Sequence, residues 1–305
     1  MKKKFILMLI LTLILIYVFA LSACGSSDQK KSREGNIYEF KKYENSEILD
    51  IEKIALSPDF AEKCTTYKFN FMSDSVKVKA YISIPVSHVN SDKPGKCILF
   101  CRGGNSDLGQ LDESWTSNIC TACGRISVAA EYRGTPGVQG EDQFGGEELN
   151  DIIKLIDLCE KHFEFIDMDD FCVAGVSRGG MMTYMSARRD NRIKRIISVS
   201  GVSDLFLAYE ERDDMKQVLK NHIGYTPQEN PEEYEKRSAT YWADEIRIPV
   251  LIIHCKKDQM VSYNQAEIMY EKLKDHTDCT FISHDDDTHG PHPEDLITIK
   301  EWLEK

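Results

Sequence analysis

The feature that most constrains this chain is a ten-residue stretch, Phe171-Cys172-Val173-Ala174-Gly175-Val176-Ser177-Arg178-Gly179-Gly180. It opens as a short apolar run of the kind that forms a buried strand and closes in the pattern G-x-S-x-G. A helix-forming segment, 181–188, follows without a break. Strand, tight turn and helix form the setting in which this pattern turns a serine outward over the C-terminal edge of a sheet. Gly175 and Gly179 carry no Cβ, so strand and helix can approach closely enough to make the turn. Ser177 then presents its hydroxyl, and the N–H of Arg178 lies at a helix N-terminus, where it can donate to an oxyanion. A serine that simply caps the helix is the competing reading. The flanking elements and the partners found downstream weigh against it.

The rest of the chain supplies a scaffold for such a turn. Apolar runs at 97–101, 126–130, 193–199, 249–254 and 279–283 read as strands, and 66–71 and 76–85 as a hairpin joined at Ser73-Asp74-Ser75. Helical patterns occupy 112–123, 149–159, 265–274 and 294–303. Strands alternating with helices predict an α/β fold, a doubly wound and mostly parallel sheet covered on both faces. A charged, helical stretch at 204–245 interrupts the alternation and reads as a cap inserted between two strands. Residues 37–64 read as irregular chain with a short helix. With 42% apolar residues in 305, a large core can be buried.

The first residues carry a different message. Lys2-Lys3-Lys4, the apolar run 5–20 and Leu21-Ser22-Ala23-Cys24 form a basic, apolar and small-residue sequence typical of an export signal. The tetrad resembles the bacterial lipobox, which implies cleavage after residue 23 and lipidation of Cys24. The expected organisation is a signal at 1–23, a lipidated Cys24 with a polar tether over 24–50, and a catalytic domain over 51–305. Lipid on Cys24 would hold that domain on the outer face of the cytoplasmic membrane. An uncleaved membrane anchor is the alternative. Loss of the three lysines leaves a net charge of −15, which argues against nucleic-acid binding. Of ten cysteines, nine follow Cys24, an odd number for a disulfide framework. Cys97, Cys101, Cys172, Cys255 and Cys279 sit in or beside apolar runs, as buried hydrophobes do. Cys120 and Cys123 form a CxxC without a matching second pair, and read as helix core.

A serine hydroxyl needs a base, and the base needs an orienting acid. On this architecture they follow in the order serine, acid, histidine. The acid belongs in the loop after the strand that follows the insertion, which points to Asp258; Asp244 and Asp285 fit that place less well. The base belongs after the last strand, where His284, His289 and His292 compete. His289, mid-loop and followed by Gly290, is the first choice and His292 the second. A second oxyanion donor should come from the loop after the 97–101 strand, at Gly103. The run Asp285-Asp286-Asp287 lacks the ligand spacing of a calcium loop, and no metal is assigned.

Several of these segments together carry a resemblance. They are Arg102-Gly103-Gly104-Asn105, Glu131-Tyr132-Arg133-Gly134, Phe144-Gly145-Gly146 with Asp151 downstream, Gly175 to Gly180, Ile253 to Val261, and Asp287-Thr288-His289-Gly290. This set resembles the catalytic domain of the prolyl oligopeptidase family within the α/β hydrolases, and its dipeptidyl-aminopeptidase and acylaminoacyl-peptidase branch in particular. The similarity spans about 66–305. It implies Ser177 as nucleophile, Asp258 as acid and His289 as base, with an ester or short peptide as substrate and no cofactor. Two departures stand out: Cys255 replaces the family's usual glycine, and no tyrosine follows Gly104 closely. About forty residues separate Cys24 from the first strand, too few for the family's β-propeller. That favours an esterase as the alternative to a peptidase. An inactive hydrolase scaffold serving as a surface binding lipoprotein is a third reading, opposed by the presence of all three candidate catalytic residues.

Overall fold

In the computed structural model, which describes residues 40–89 and 91–305, nine strands build one sheet. They are β1 Ile48–Lys53, β2 Cys64–Ser73, β3 Val76–Pro85, β4 Gly95–Cys101, β5 Ile126–Ala130, β6 Ile166–Val176, β7 Arg195–Val199, β8 Val250–Cys255 and β9 Cys279–His284. The order across the sheet is β1-β2-β3-β5-β4-β6-β7-β8-β9. The first three strands and the β3–β5 pair are antiparallel, and every pair from β5 through β4 to β9 is parallel. The burial patterns follow this division. β5 and β8 are buried at every residue, as strands covered on both faces must be, whereas β2 alternates.

Besides a one-turn helix at Pro58–Ala61, eight α-helices are found among the described residues: α1 Glu113–Cys123, α2 Glu148–His162, α3 Arg178–Arg189, α4 Leu205–Glu211, α5 Asp213–Ile223, α6 Pro231–Glu235, α7 Asn264–Leu273 and α8 Pro293–Leu303. One face packs Cys123 of α1 and Ile299, Trp302 and Leu303 of α8 against Ile98, Cys172, Ile197 and Leu251. The other packs Ile152 and Ile156 of α2, Met181 and Met182 of α3 and Met269 and Leu273 of α7 against Leu99, Val173 and Ile252. Phe171, Cys172 and Val173 point alternately to the two cores, the period of two expected for a strand.

The insertion forms α4, α5 and α6 and two short 3-10 turns between β7 and β8. Asp204 caps α4 by accepting from the N–H groups of Phe206 and Leu207 at 2.9 and 3.2 Å. Gly224, at φ 89°, ends α5 in the left-handed region. Leu205, Leu219, Tyr234 and Trp242 join the same apolar core as α2 and α3, so the insertion shares the core of the sheet.

Two expectations need correction. Residues 48–53, read as irregular, form β1; Ile48 and Ile51 are its buried side chains, and the intervening charges mask the strand pattern. The tether assigned to 24–50 therefore overlaps ordered chain, because Phe40 and Tyr43 already pack into an aromatic cluster with Tyr67, Phe163 and Phe165. β6 also begins at Ile166, five residues before the apolar run. The export signal, Cys24 and the first part of the tether lie outside the described residues. Among the described residues no helix is long and apolar enough to cross a membrane. Nine cysteines are unpaired there, and eight of them are buried.

The close approach at the β6–α3 turn is testable. A Cβ at Gly175 would overlap the carbonyl oxygen of Gly179, which is backbone and cannot swing aside. Gly175→Ala is expected to lower stability by more than about 3 kcal/mol, at the upper end for overpacking. Urea unfolding measures it through the midpoint at constant slope. A loss under about 1 kcal/mol would show that the turn tolerates a side chain.

Candidate active site

The turn between β6 and α3 holds Ser177 at φ 59° and ψ −124°, a region non-glycine residues rarely occupy. Hydrogen bonds hold it there. The Ser177 N–H donates to the carbonyl of Val199 at 3.0 Å, and the Ser177 carbonyl accepts from Gly180 and Val202 at 2.9 and 3.1 Å. The helix pins itself to the neighbouring strand, since a Cβ at Gly179 would overlap the carbonyl of Cys101. Gly103 lies against the same turn: a Cβ there would come within 3.0 Å of the Val176 carbonyl oxygen and 3.2 Å of the Ser177 Cβ. The two segments proposed as oxyanion donors, Gly103 and the start of α3 at Arg178, thus flank Ser177. The first N–H groups of a helix have no intrahelical acceptor, which leaves the Arg178 N–H directed outward.

Asp258 sits just past the end of β8. Its Oδ1 accepts from the N–H groups of Met260 and Val261 at 2.8 and 3.1 Å. Its Oδ2 lies 2.8 Å from Nδ1 of His289. His254 approaches the same oxygen at 3.5 Å while its Nε2 donates to the carbonyl of Val261 at 2.9 Å. Burial works against the charge on Asp258, but hydrogen bonds from His254, His289 and the Val261 N–H hold its carboxyl well below the usual range. The Asp258 side chain is fully buried, whereas that of His289 is 25% exposed. The pair therefore offers a dry, ionised acceptor behind an imidazole that solvent and substrate can reach. The loop of His289 is tied to the serine turn: the Gly290 N–H donates to Ser200 Oγ at 3.1 Å, and Ser200 follows Val199, the acceptor for Ser177.

The other candidates fall elsewhere. His284 bonds Asp295 at 2.9 Å, and His292 faces Asp286 and Cys255 at 3.1 and 3.5 Å. Asp285 pairs with Lys256 at the surface, and Asp244 lies in a 3-10 turn of the insertion.

Beneath Ser177 lies a cluster that sequence reasoning did not find. The Arg178 guanidinium is buried and donates to Asp142 at 2.8 Å, to Glu148 and to the carbonyl of Gly104 at 3.2 Å. It stacks on Tyr132 and Phe144, 4.9 and 4.6 Å from their centroids. Arg102 also packs on the Tyr132 ring, 4.8 Å from its centroid, and donates to the carbonyls of Gly103 and Leu108 and to Thr135. Its Nε lies 2.8 Å from Glu131 Oε2 in an ion pair too poorly aligned for a hydrogen bond. Asp142 also accepts from the N–H groups of Ser106 and Phe144, both at 3.0 Å. Burial opposes its charge, and the Arg178 guanidinium holds its carboxyl well below the usual range. The sequence signals were the Glu-Tyr-Arg-Gly and Phe-Gly-Gly segments, which carried a resemblance but no individual roles.

A cleft of about 100 Å³ opens onto Ser177, lined by Asn105, Phe144, Val202, Glu211, Met215 and Met260 among others. A larger depression of about 520 Å³ lies elsewhere, among Arg188, Arg189, Lys236 and Trp242, and Ser177 does not line it. The smaller cleft, which Ser177 and Arg178 line, has room for one side chain or a small acyl group.

A family model described as the prolyl oligopeptidase family matches residues 111–293. The chain is 32% identical to the uncharacterized peptidase YtmA of Bacillus subtilis over 220 residues, covering 71% of this chain and 82% of that protein. It is 23% identical to the dipeptidyl-peptidase 5 of Porphyromonas endodontalis over 248 residues, but spans just 36% of that relative's length. Its fold is similar to the acylaminoacyl peptidase of Pyrococcus horikoshii, with a TM-score of 0.70 at 22% identity, over 79% of this chain and 42% of the other.

Proposed function

The chain belongs to the prolyl oligopeptidase family and is a serine hydrolase of the α/β-hydrolase fold; from that premise we propose that it cleaves short peptides through an acyl-enzyme on Ser177. The observation that carries the reading is the 2.8 Å contact between His289 Nδ1 and the buried Asp258, in a loop tied to the Ser177 turn. With Nδ1–H given to Asp258, the other ring nitrogen is free to take the Ser177 proton as Oγ attacks the scissile carbonyl. The negative oxygen that forms is held by the N–H groups of Arg178 and Gly103. His289 then returns the proton to the leaving amine, and water repeats the sequence to release the acyl group. No step calls for a cofactor.

The size of the cleft supports a substrate with one modest side chain or acyl group at the cut bond. Aminoacyl- and dipeptidyl-arylamides assayed beside short-chain aryl esters separate peptidase from esterase. Turnover of arylamides is expected, with none in Ser177→Ala. Ester turnover alone would establish the esterase, and no turnover with either class would leave a binding protein.

The acid has its own test. Asp258→Asn keeps the shape but can offer an N–H to His289 and favour the wrong tautomer. It is expected to lower kcat by roughly 10³- to 10⁴-fold with KM little changed. Near-normal turnover would remove Asp258 from the mechanism.

We also propose that Cys24 is lipidated and holds the enzyme on the outer face of the cytoplasmic membrane, on the strength of Leu21-Ser22-Ala23-Cys24 after a basic, apolar segment. Cys24→Ser is expected to move the protein from the membrane fraction to the medium, or to leave an uncleaved precursor. Unchanged membrane association and unchanged mature size would refute this.

A further inference from the structure

Cys255 is the last residue of β8 and fully buried. Its Sγ lies 3.5 Å from Nε2 of His292, and the same Nε2 lies 3.1 Å from Oδ2 of Asp286. All three atoms fall within 4.8 Å of one another. A single N–H on Nε2 cannot serve both neighbours well. A cation between them can. For bonds of about 2.3 Å to sulfur, 2.1 Å to nitrogen and 2.0 Å to oxygen at tetrahedral angles, the donor atoms lie about 3.3–3.6 Å apart. The two separations from Nε2, 3.5 Å to sulfur and 3.1 Å to oxygen, are close to those edges, and sulfur and oxygen lie within 4.8 Å of each other.

The supporting contacts also orient the donors. Asp286 Oδ1 is taken by the Thr288 N–H at 2.9 Å, which leaves Oδ2 for the cluster. The His292 ring packs on His284 with centroids 4.3 Å apart, and His284 is itself held by Asp295 at 2.9 Å. The backbone N–H of His292 donates to the other oxygen of Asp295 at 2.7 Å. Fixing donors through their outer partners is how metal sites are pre-arranged. One thiolate, one imidazole and one carboxylate suit zinc better than calcium or magnesium, which take oxygen ligands. The thiolate and carboxylate charges together balance a divalent ion, and binding releases the thiol proton.

We propose that Cys255, Asp286 and His292 form a zinc site with its fourth position open to water. Asp286 and His292 bracket the loop that carries His289, and Cys255 stands three residues before Asp258. The ion therefore clamps the base-bearing loop to the strand end that presents the acid. None of the three residues lines the cleft at Ser177, so the role of the site is to restrain the loop rather than to contact substrate.

The test uses the full-length protein, reduced, stripped with chelator and titrated with Zn²⁺ and separately with Co²⁺. One equivalent of zinc, a rise in Tm and a thiolate-to-cobalt charge-transfer band in the near ultraviolet are expected. Cys255→Ser should abolish the band. His292→Ala and Asp286→Asn should weaken zinc binding by more than about 100-fold, beyond the loss of a supporting group alone. Both of these side chains are partly exposed, so the two variants test the site even if Cys255→Ser folds poorly. Ser177→Ala should bind zinc as the wild type does, which separates this inference from the proposed activity. Absence of the cobalt band, or zinc binding unchanged in Asp286→Asn and His292→Ala, would overturn it.

Discussion

The arrangement around Ser177 depends on one buried cation. Arg178 follows Ser177 in sequence, and its guanidinium is enclosed by Asp142, Glu148, Tyr132 and Phe144. A charge in that position is tolerable because two carboxylates, a carbonyl and two ring faces surround it, with Nε alone lacking a hydrogen-bond partner; deleting one member of such a group typically costs about 3–5 kcal/mol. The consequence is geometric. Asp142 belongs to the loop after β5, Glu148 to the first turn of α2, and Gly104 to the loop after β4. All three converge on a side chain whose own backbone begins α3. The guanidinium thereby locates the Arg178 N–H and the Gly103–Gly104 loop relative to one another, which oxyanion binding requires.

The insertion is attached to both sides of this centre. On the oxyanion side, His222 of α5 donates from Nδ1 to the Asp142 carbonyl at 2.7 Å and accepts from the Asn105 amide at 3.3 Å. On the acid side, Arg212, between α4 and α5, donates to the carbonyl of Met260, whose N–H holds Asp258. At its base, Gln265 of α7 accepts from the N–H groups of Ser203 and Asp204 at 2.8 and 2.7 Å. The cap touches the cleft through residues that also touch the catalytic loops. Motion of the cap would be felt at Asn105 and Met260 before it reached substrate.

Much of the sheet was legible in the sequence because its parallel strands are enclosed on both faces and must be continuous apolar runs. β1 was not, since an edge strand needs few buried residues, and Ile48 and Ile51 stand among charges. Ser177 and Asp258 were legible from motif and chain order. Choosing among His284, His289 and His292 required knowing which ring meets Asp258, a fact of the loop's path and not of its composition. The buried charges were the least legible part. Glu131, Asp142, Glu148, Arg102 and Arg178 look like surface residues in a linear reading, because charged side chains are rarely buried unless paired. Their pairing joins segments up to 36 residues apart. Cys255, Asp286 and His292 were each read singly and their grouping was not, because Cys255 stands about thirty residues from the other two.

The two halves of the site are built on the same physical principle. On one side the Asp258 carboxylate is dry yet ionised, held by two backbone N–H groups and an imidazole. On the other, Arg178 is dry yet charged, held by two carboxylates. Charges fixed in this way have already met their desolvation cost on folding, so under the proposed mechanism they would not reorganise as charge developed on the substrate oxygen and on His289. What distinguishes the halves is the backbone that carries them. Arg178 begins a twelve-residue helix packed on the sheet, whereas His289 sits in a loop between β9 and α8. The loop half has more freedom to lose, so it is where an added restraint would act most on geometry. Asp286 and His292 stand at the two ends of that loop, and Cys255 at the end of β8 beside them.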